Sequence, residues 1–281
     1  MKRRKVITLI LLGVFLLGLS VLLYPSVSSY WNSVTQSRAV VDYDMIVKSL
    51  SPKDYTALYE NAERYNEALK KLNFPLSEYG QVEGYADCLN AAGDGIIGYI
   101  DIDKIQVKLP IYHGADPSAL NRACGHIEGS SLPIAGKGTH AVLSAHRGLP
   151  SARLFSDLDK LGVGDTFRVT VLDKTYTYEV DQIKTVLPDD VSDLLIDKDK
   201  EYCTLVTCTP YGINTHRLLV RGHRIESESS RALTVVSEAF IIDRLIVTPI
   251  VALPILLILM LYVFLKPVKK KLPINEEGEL I

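Results

Sequence analysis

Two long uncharged apolar runs bracket this chain, and they limit where everything between them can fold. Residues 6–23 follow the basic cluster Lys2, Arg3, Arg4 and Lys5, and residues 245–265 precede Lys266, Lys269, Lys270 and Lys271. Each run is long enough to cross a bilayer as a helix. Pro249 and Pro254 interrupt the second run, which membrane helices tolerate. A cleaved signal peptide is the rival reading of the first run. Its length exceeds the usual signal core, and Tyr24-Pro25 is a poor match to a small-residue cleavage site, so a retained anchor is favoured. Positive flanks stay inside, so both termini are expected in the cytoplasm, with the residues from about 30 to about 240 outside.

A chain of 281 residues leaves room for one sizeable domain plus appendages. The net charge of −2 argues against nucleic acid as a partner. The four cysteines, Cys88, Cys124, Cys203 and Cys208, include no CxxC pair, which argues against a zinc site or a dense disulfide framework. Between residues 33 and 72 the signals are helical. Ser51-Pro52 with Lys53 and Asp54 marks a helix start, and apolar residues recur at Leu58, Tyr59, Ala62, Tyr65, Ala68 and Leu72. Residues 81–94 are non-periodic and read as a loop. From 95 to 224 strand composition dominates, at 96–102, 105–112, 139–144, 166–172, 175–183, 203–208 and 216–220. Short helices are expected near 116–123, 152–161 and 190–195. Many short strands separated by turns indicate a mainly β domain, closed or sandwich-like.

The stretch from Tyr202 to Arg224, YCTLVTCTPYGINTHRLLVRGHR, reads as two strands joined by a loop holding Pro210, Gly212 and Asn214. Side chains alternate faces along a strand, so Cys208 shares a face with Thr204 and Val206, with Cys203 opposite. Arg217 opens the return strand and points away from Leu218 and Val220. A thiol and a guanidinium can then meet over one groove. A thiol needs a cation or base nearby to act as a nucleophile, and acyl transfer needs a donor for the developing oxyanion. Of the six histidines, His146 stands out, ending a strand in the context LSAHRG. His140 lies on the same face of that strand. A metal site built on the two lacks the carboxylates and spacing such sites carry.

TLVTC ending at Cys208, Arg217 on the following strand and His146 upstream together resemble the sortases, cysteine transpeptidases of Gram-positive surfaces, and most closely the pilin-polymerising class C. The resemblance runs from about residue 96 to 224, with the membrane anchors at both ends. It implies an eight-stranded β-barrel with short helices, an N-terminal helical and lid extension, and a transmembrane helix at each end. The domains would be a cytoplasmic tail and anchor at 1–24, the extension and lid at 25–94, the catalytic barrel at 95–224, a linker at 225–244, a second anchor at 245–265 and a tail at 266–281. Cys208 would be the nucleophile, His146 the acid and base, Arg217 the oxyanion and substrate holder, and Thr207 a lining residue of the substrate groove. The family's lid motif, Asp-Pro-aromatic, corresponds here to Asp87-Cys88-Leu89, with the proline and the aromatic replaced. Asp87 is expected to dock on Arg217 and Leu89 to shield Cys208, and a Cys88–Cys208 disulfide is a further option. Implied partners are pilins or surface proteins bearing LPXTG-like signals, an acceptor lysine of a pilin, and the membrane; no cofactor or metal is implied. Attachment of surface proteins to cell-wall peptide, hydrolysis by the same residues, and a non-enzymatic tethered scaffold are the alternatives.

Overall fold

A computed structural model describes residues 2–226. The linker beyond 226, the second apolar run and the C-terminal tail lie outside the described residues. The N-terminal run is part of one long helix, α1 (Lys2–Ser49), which continues across the boundary expected at residue 24. It is the one helix among the described residues long and apolar enough to cross a membrane. Its later part carries Gln36, Val40, Tyr43 and Val47, spaced by four, three and four, and all four are buried. That spacing makes one stripe along a helix. The Tyr43 hydroxyl donates to Ile97 O (3.2 Å) and accepts from Leu172 N (2.8 Å), fixing the stripe to the β-domain.

Helix α2 (Pro52–Leu69) starts where the sequence signals place it. Ser51 Oγ accepts from Asp54 N, the Asp54 carboxylate accepts from Ser51 N at 3.0 Å, and Pro52 occupies the first turn. Its buried face, Ala62, Tyr65, Asn66 and Leu69, packs on the barrel, and Asn66 exchanges hydrogen bonds with the backbone of Leu132.

Eight strands follow: β1 (Ile96–Ile102), β2 (Val107–His113), β3 (Cys124–His126), β4 (Thr139–Ser144), β5 (Thr166–Val171), β6 (Lys174–Val186), β7 (Glu201–Thr209) and β8 (His216–Ile225). They close into a barrel in the order β1-β2-β3-β4-β7-β8-β6-β5. The pairs β2–β3 and β4–β7 are parallel and the others antiparallel. Ile100, Leu143, Val169, Leu205 and Val220 are among the side chains that fill the interior. Phe167 and Tyr178 stack within it at 5.4 Å, and a Cβ at Gly222 would lie 2.8 Å from Phe167, so only glycine fits there. Seven strands match the expected runs. The exception is β3, too short to show an alternation. The helix expected at 152–161 is only a 3-10 turn at Leu158–Lys160, and that at 190–195 another at Ser192–Leu194.

Candidate active site

Cys208 and Arg217 are direct cross-strand partners of β7 and β8. On the other side of β7, Ser144 of β4 is level with Val206. Two bonds carry that pairing past the end of β4: Ala145 N donates to Val206 O (3.2 Å), and Thr207 Oγ1 donates to Ala145 O (2.8 Å). The next residue is His146, whose carbonyl accepts from Phe155 N at 3.1 Å. Three neighbouring strands thus bring a thiol, an imidazole and a guanidinium to one rim, and all three residues are half-buried.

Strand alternation decides which way they face. Cys203 and Leu205 belong to the interior core, whereas Val206 packs in a separate cluster with Val142, Leu194 and Leu219. Cys208 shares the face of Val206, and Arg217 shares that of Leu219. The reactive groups therefore sit on the outside of the barrel wall, at the end of an apolar patch. Leu76, from a short helix α3 (Pro75–Glu78), packs on that patch with Ile127 and Val186. The Arg217 guanidinium donates to the carbonyls of His216 (3.1 Å), at the start of β8, and Asn214 (3.3 Å), in the β7–β8 turn.

Thr207 does not line this groove. It alternates with Cys208, so it points inward, is 2% exposed, and spends its hydroxyl on Ala145. The lid residues also fall elsewhere. Asp87 is exposed, and no ion pair among the described residues joins it to Arg217. Leu89 is fully buried in the main core cluster rather than on the Val206 patch. Two contacts fix where this loop sits. The Tyr85 hydroxyl pairs with His126 Nδ1 (2.8 Å), and the Cys88 thiol faces Asn61 O and Gly84 O on the α2 side. Cys88 carries a free thiol, and burial pushes it up to about 11. It makes no disulfide with Cys208.

His140 is buried and fully paired. Its Nδ1 donates to Leu195 O (2.9 Å), leaving Nε2 to accept from the Thr204 hydroxyl (2.7 Å). This pairing holds the β6–β7 segment against the sheet, next to Leu194 of the patch. Among the described residues no group of three or more His, Cys, Asp or Glu side chains could hold a metal ion. Two elements escaped sequence reasoning. Arg147 reaches Thr209 Oγ1 (3.1 Å) and pairs with Asp159, tying the strand end beside Cys208 to the turn after His146. The apolar patch was legible in principle, since Val142, Val206 and Leu219 are apolar residues on an outward face.

A closed barrel with a thiol, an imidazole and a guanidinium on adjacent strands of its outer wall is the frame of a cysteine transpeptidase. The sortase domain model matches residues 100–225. Sortase C1 of Streptococcus agalactiae is 52% identical in a match covering 68% of this chain and 100% of that one, with a TM-score of 0.63. Sortase C of Clostridium perfringens, solved with the C-terminal cell wall sorting motif, is 41% identical, covering 68% of this chain and 100% of that one, with a TM-score of 0.60. The pilus-related sortase C of Group B Streptococcus is 42% identical, covering 68% and 98%, with a TM-score of 0.60. Sortase D of Bacillus subtilis (strain 168) is 32% identical over 131 residues, 46% of this chain and 63% of that protein. Sortase A of Streptococcus agalactiae is 32% identical over 41% of this chain and 47% of that protein, so the chain spans less than two thirds of these curated relatives. The chain belongs to the sortase family, and the solved structures it resembles include class C members.

Proposed function

We propose that this chain is a membrane-anchored transpeptidase that joins pilins through isopeptide bonds. The Cys208 sulfur, its proton held by His146, attacks the Thr–Gly carbonyl of an LPXTG-like signal, and His146 passes that proton to the glycine amine as the Thr–Gly bond breaks. The acyl group is then held as a thioester on Cys208. A pilin lysine attacks next, giving its proton to His146, and the thiolate of Cys208 leaves. Arg217 donates to the oxyanion at both tetrahedral stages; its fork of hydrogen-bond donors keeps its charge throughout. Thr207 and Arg147 position the strand ends that carry His146 and Cys208.

The observation that carries this reading is the Cys208–Arg217 register with His146 beside it, two residues past the end of β4. The sorting motif bound by the Clostridium perfringens relative and the pilus association of the Group B Streptococcus relative support the choice of substrate. The apolar patch supplies a floor for the leading residues of such a signal. The N-terminal run is read as a retained anchor, with the barrel outside the cytoplasm. Incubation with an LPXTG-type peptide should leave an acyl adduct on Cys208, visible by mass spectrometry and absent from Cys208→Ala. Adding a pilin should then release the acyl group onto a lysine. Release onto wall peptide in its place would favour wall anchoring. A folded protein with a reactive thiol and no adduct would return the scaffold reading.

A further inference from the structure

Helix α1 runs from the apolar N-terminal stretch onto the barrel. Its apolar run ends at residue 23, and the next turns expose Tyr24, Val27, Tyr30 and Trp31, the last at 71%. Such aromatic side chains favour the membrane–water boundary. Docking on the barrel begins at Asn32, whose side-chain amide donates to Ser151 O (2.8 Å), and continues with Gln36, whose amide donates to Arg122 O (2.8 Å). Positions 23 and 32 are nine helical steps apart, a rise of about 14 Å.

Both docking points belong to the catalytic end. Ser151 lies in the turn that leaves His146, and Arg122 leads into β3, where Gly125 is level with Ser144. Further along, α1 descends toward the opposite end, and α2 follows it there. Tyr59 donates to Val171 O at the close of β5, and Lys70 Nζ donates to Lys137 O (2.9 Å) ahead of β4. Going back along α1 toward its N-terminus, the path leaves the barrel over the catalytic rim. We propose that this rim, the turn after His146 together with the segment before β3, is the protein's bilayer-facing surface, so that Cys208 takes acyl donors as they leave the lipid. The proposal rests on the reading of residues 6–23 as a retained span.

The test uses the full chain in lipid vesicles with Cys208→Ala, which removes the one cysteine of the four that is not buried. A fluorophore is placed on Pro150→Cys at the rim or on Lys137→Cys at the far end, and the lipids carry a nitroxide in the headgroup. The rim label should be quenched several-fold more than the far label. Equal or reversed quenching in membrane-retained protein would overturn the orientation alone. Release of the chain by alkaline carbonate would remove the anchor reading, and the proposal with it. A flexible Gly-Ser insertion between Trp31 and Asn32 should abolish the difference; its persistence would mean that α1 does not set the orientation.

Discussion

Arg217 lies directly across from the nucleophile, and its guanidinium is turned onto the backbone carbonyls of Asn214 and His216. A lysine there keeps the charge but loses the planar fork, so Arg217→Lys should lower kcat/KM about a hundredfold or more while leaving the fold intact. Near-normal turnover would remove Arg217 from the mechanism. Thr207→Val keeps the volume and cuts the bond to Ala145 O. It should cost about 1 kcal/mol in stability and lower kcat more than it raises KM, because His146, not the groove, is displaced. A change confined to KM would restore Thr207 to the groove. Alternation explains why Cys208 and Arg217 could be read from sequence, and why Thr207 was misplaced: adjacent residues of one strand face opposite sides. Asp87, Cys88 and Leu89 were misplaced for another reason. Their loop has no periodicity, and what positions it is the bond from Tyr85 to a buried histidine on a distant strand.

At the level of elements, the site is a sheet surface whose cover comes from elsewhere in the chain. Residues 75–76 pass over Gly129, which holds a φ of +83°, and a Cβ there would lie 2.5 Å from Pro75 O and 2.8 Å from Leu76 Cα. Gly129→Ala therefore strains a left-handed position and pushes the strap that seats Leu76 on the Val206 patch. The expected cost is about 1 kcal/mol or more, with faster acylation of Cys208 by a sorting peptide. An unchanged acylation rate in the folded variant would mean that this segment does not limit access to the groove. The strands that carry the site were legible because each is long enough to alternate. The strap was not, because a four-residue helix leaves no periodic signal, and its role comes from contacts with residues far along the chain.

For the whole molecule, acid should act through the histidines. Burial lowers His126 and His140 to about 4, from 6.5 for an unhindered imidazole, and lowers His113 as well. Both His126 and His140 are neutral in the fold. The Nε2 proton of His126 goes to Ser131 O, and the Nδ1 proton of His140 to Leu195 O. As pH falls through 6.5 the unfolded chain binds protons that the folded barrel refuses, so stability falls with pH until the folded imidazoles also titrate near 4. Each of these two histidines should cost on the order of 2 kcal/mol by about pH 5. Carboxylates held low by their partners, such as Asp103 beside Arg168 and Asp165 beside Lys104, lose their contribution only at still lower pH. Urea unfolding of the soluble domain at about pH 7 and about pH 5 measures the effect, and His140→Gln separates it from general acid sensitivity. The glutamine cannot titrate, so its average slope between the two pH values should be shallower by about 0.7 of a proton. An identical slope would mean that His140 is not held neutral by the fold, and that its bond to Leu195 does not anchor the β6–β7 segment beside the active site.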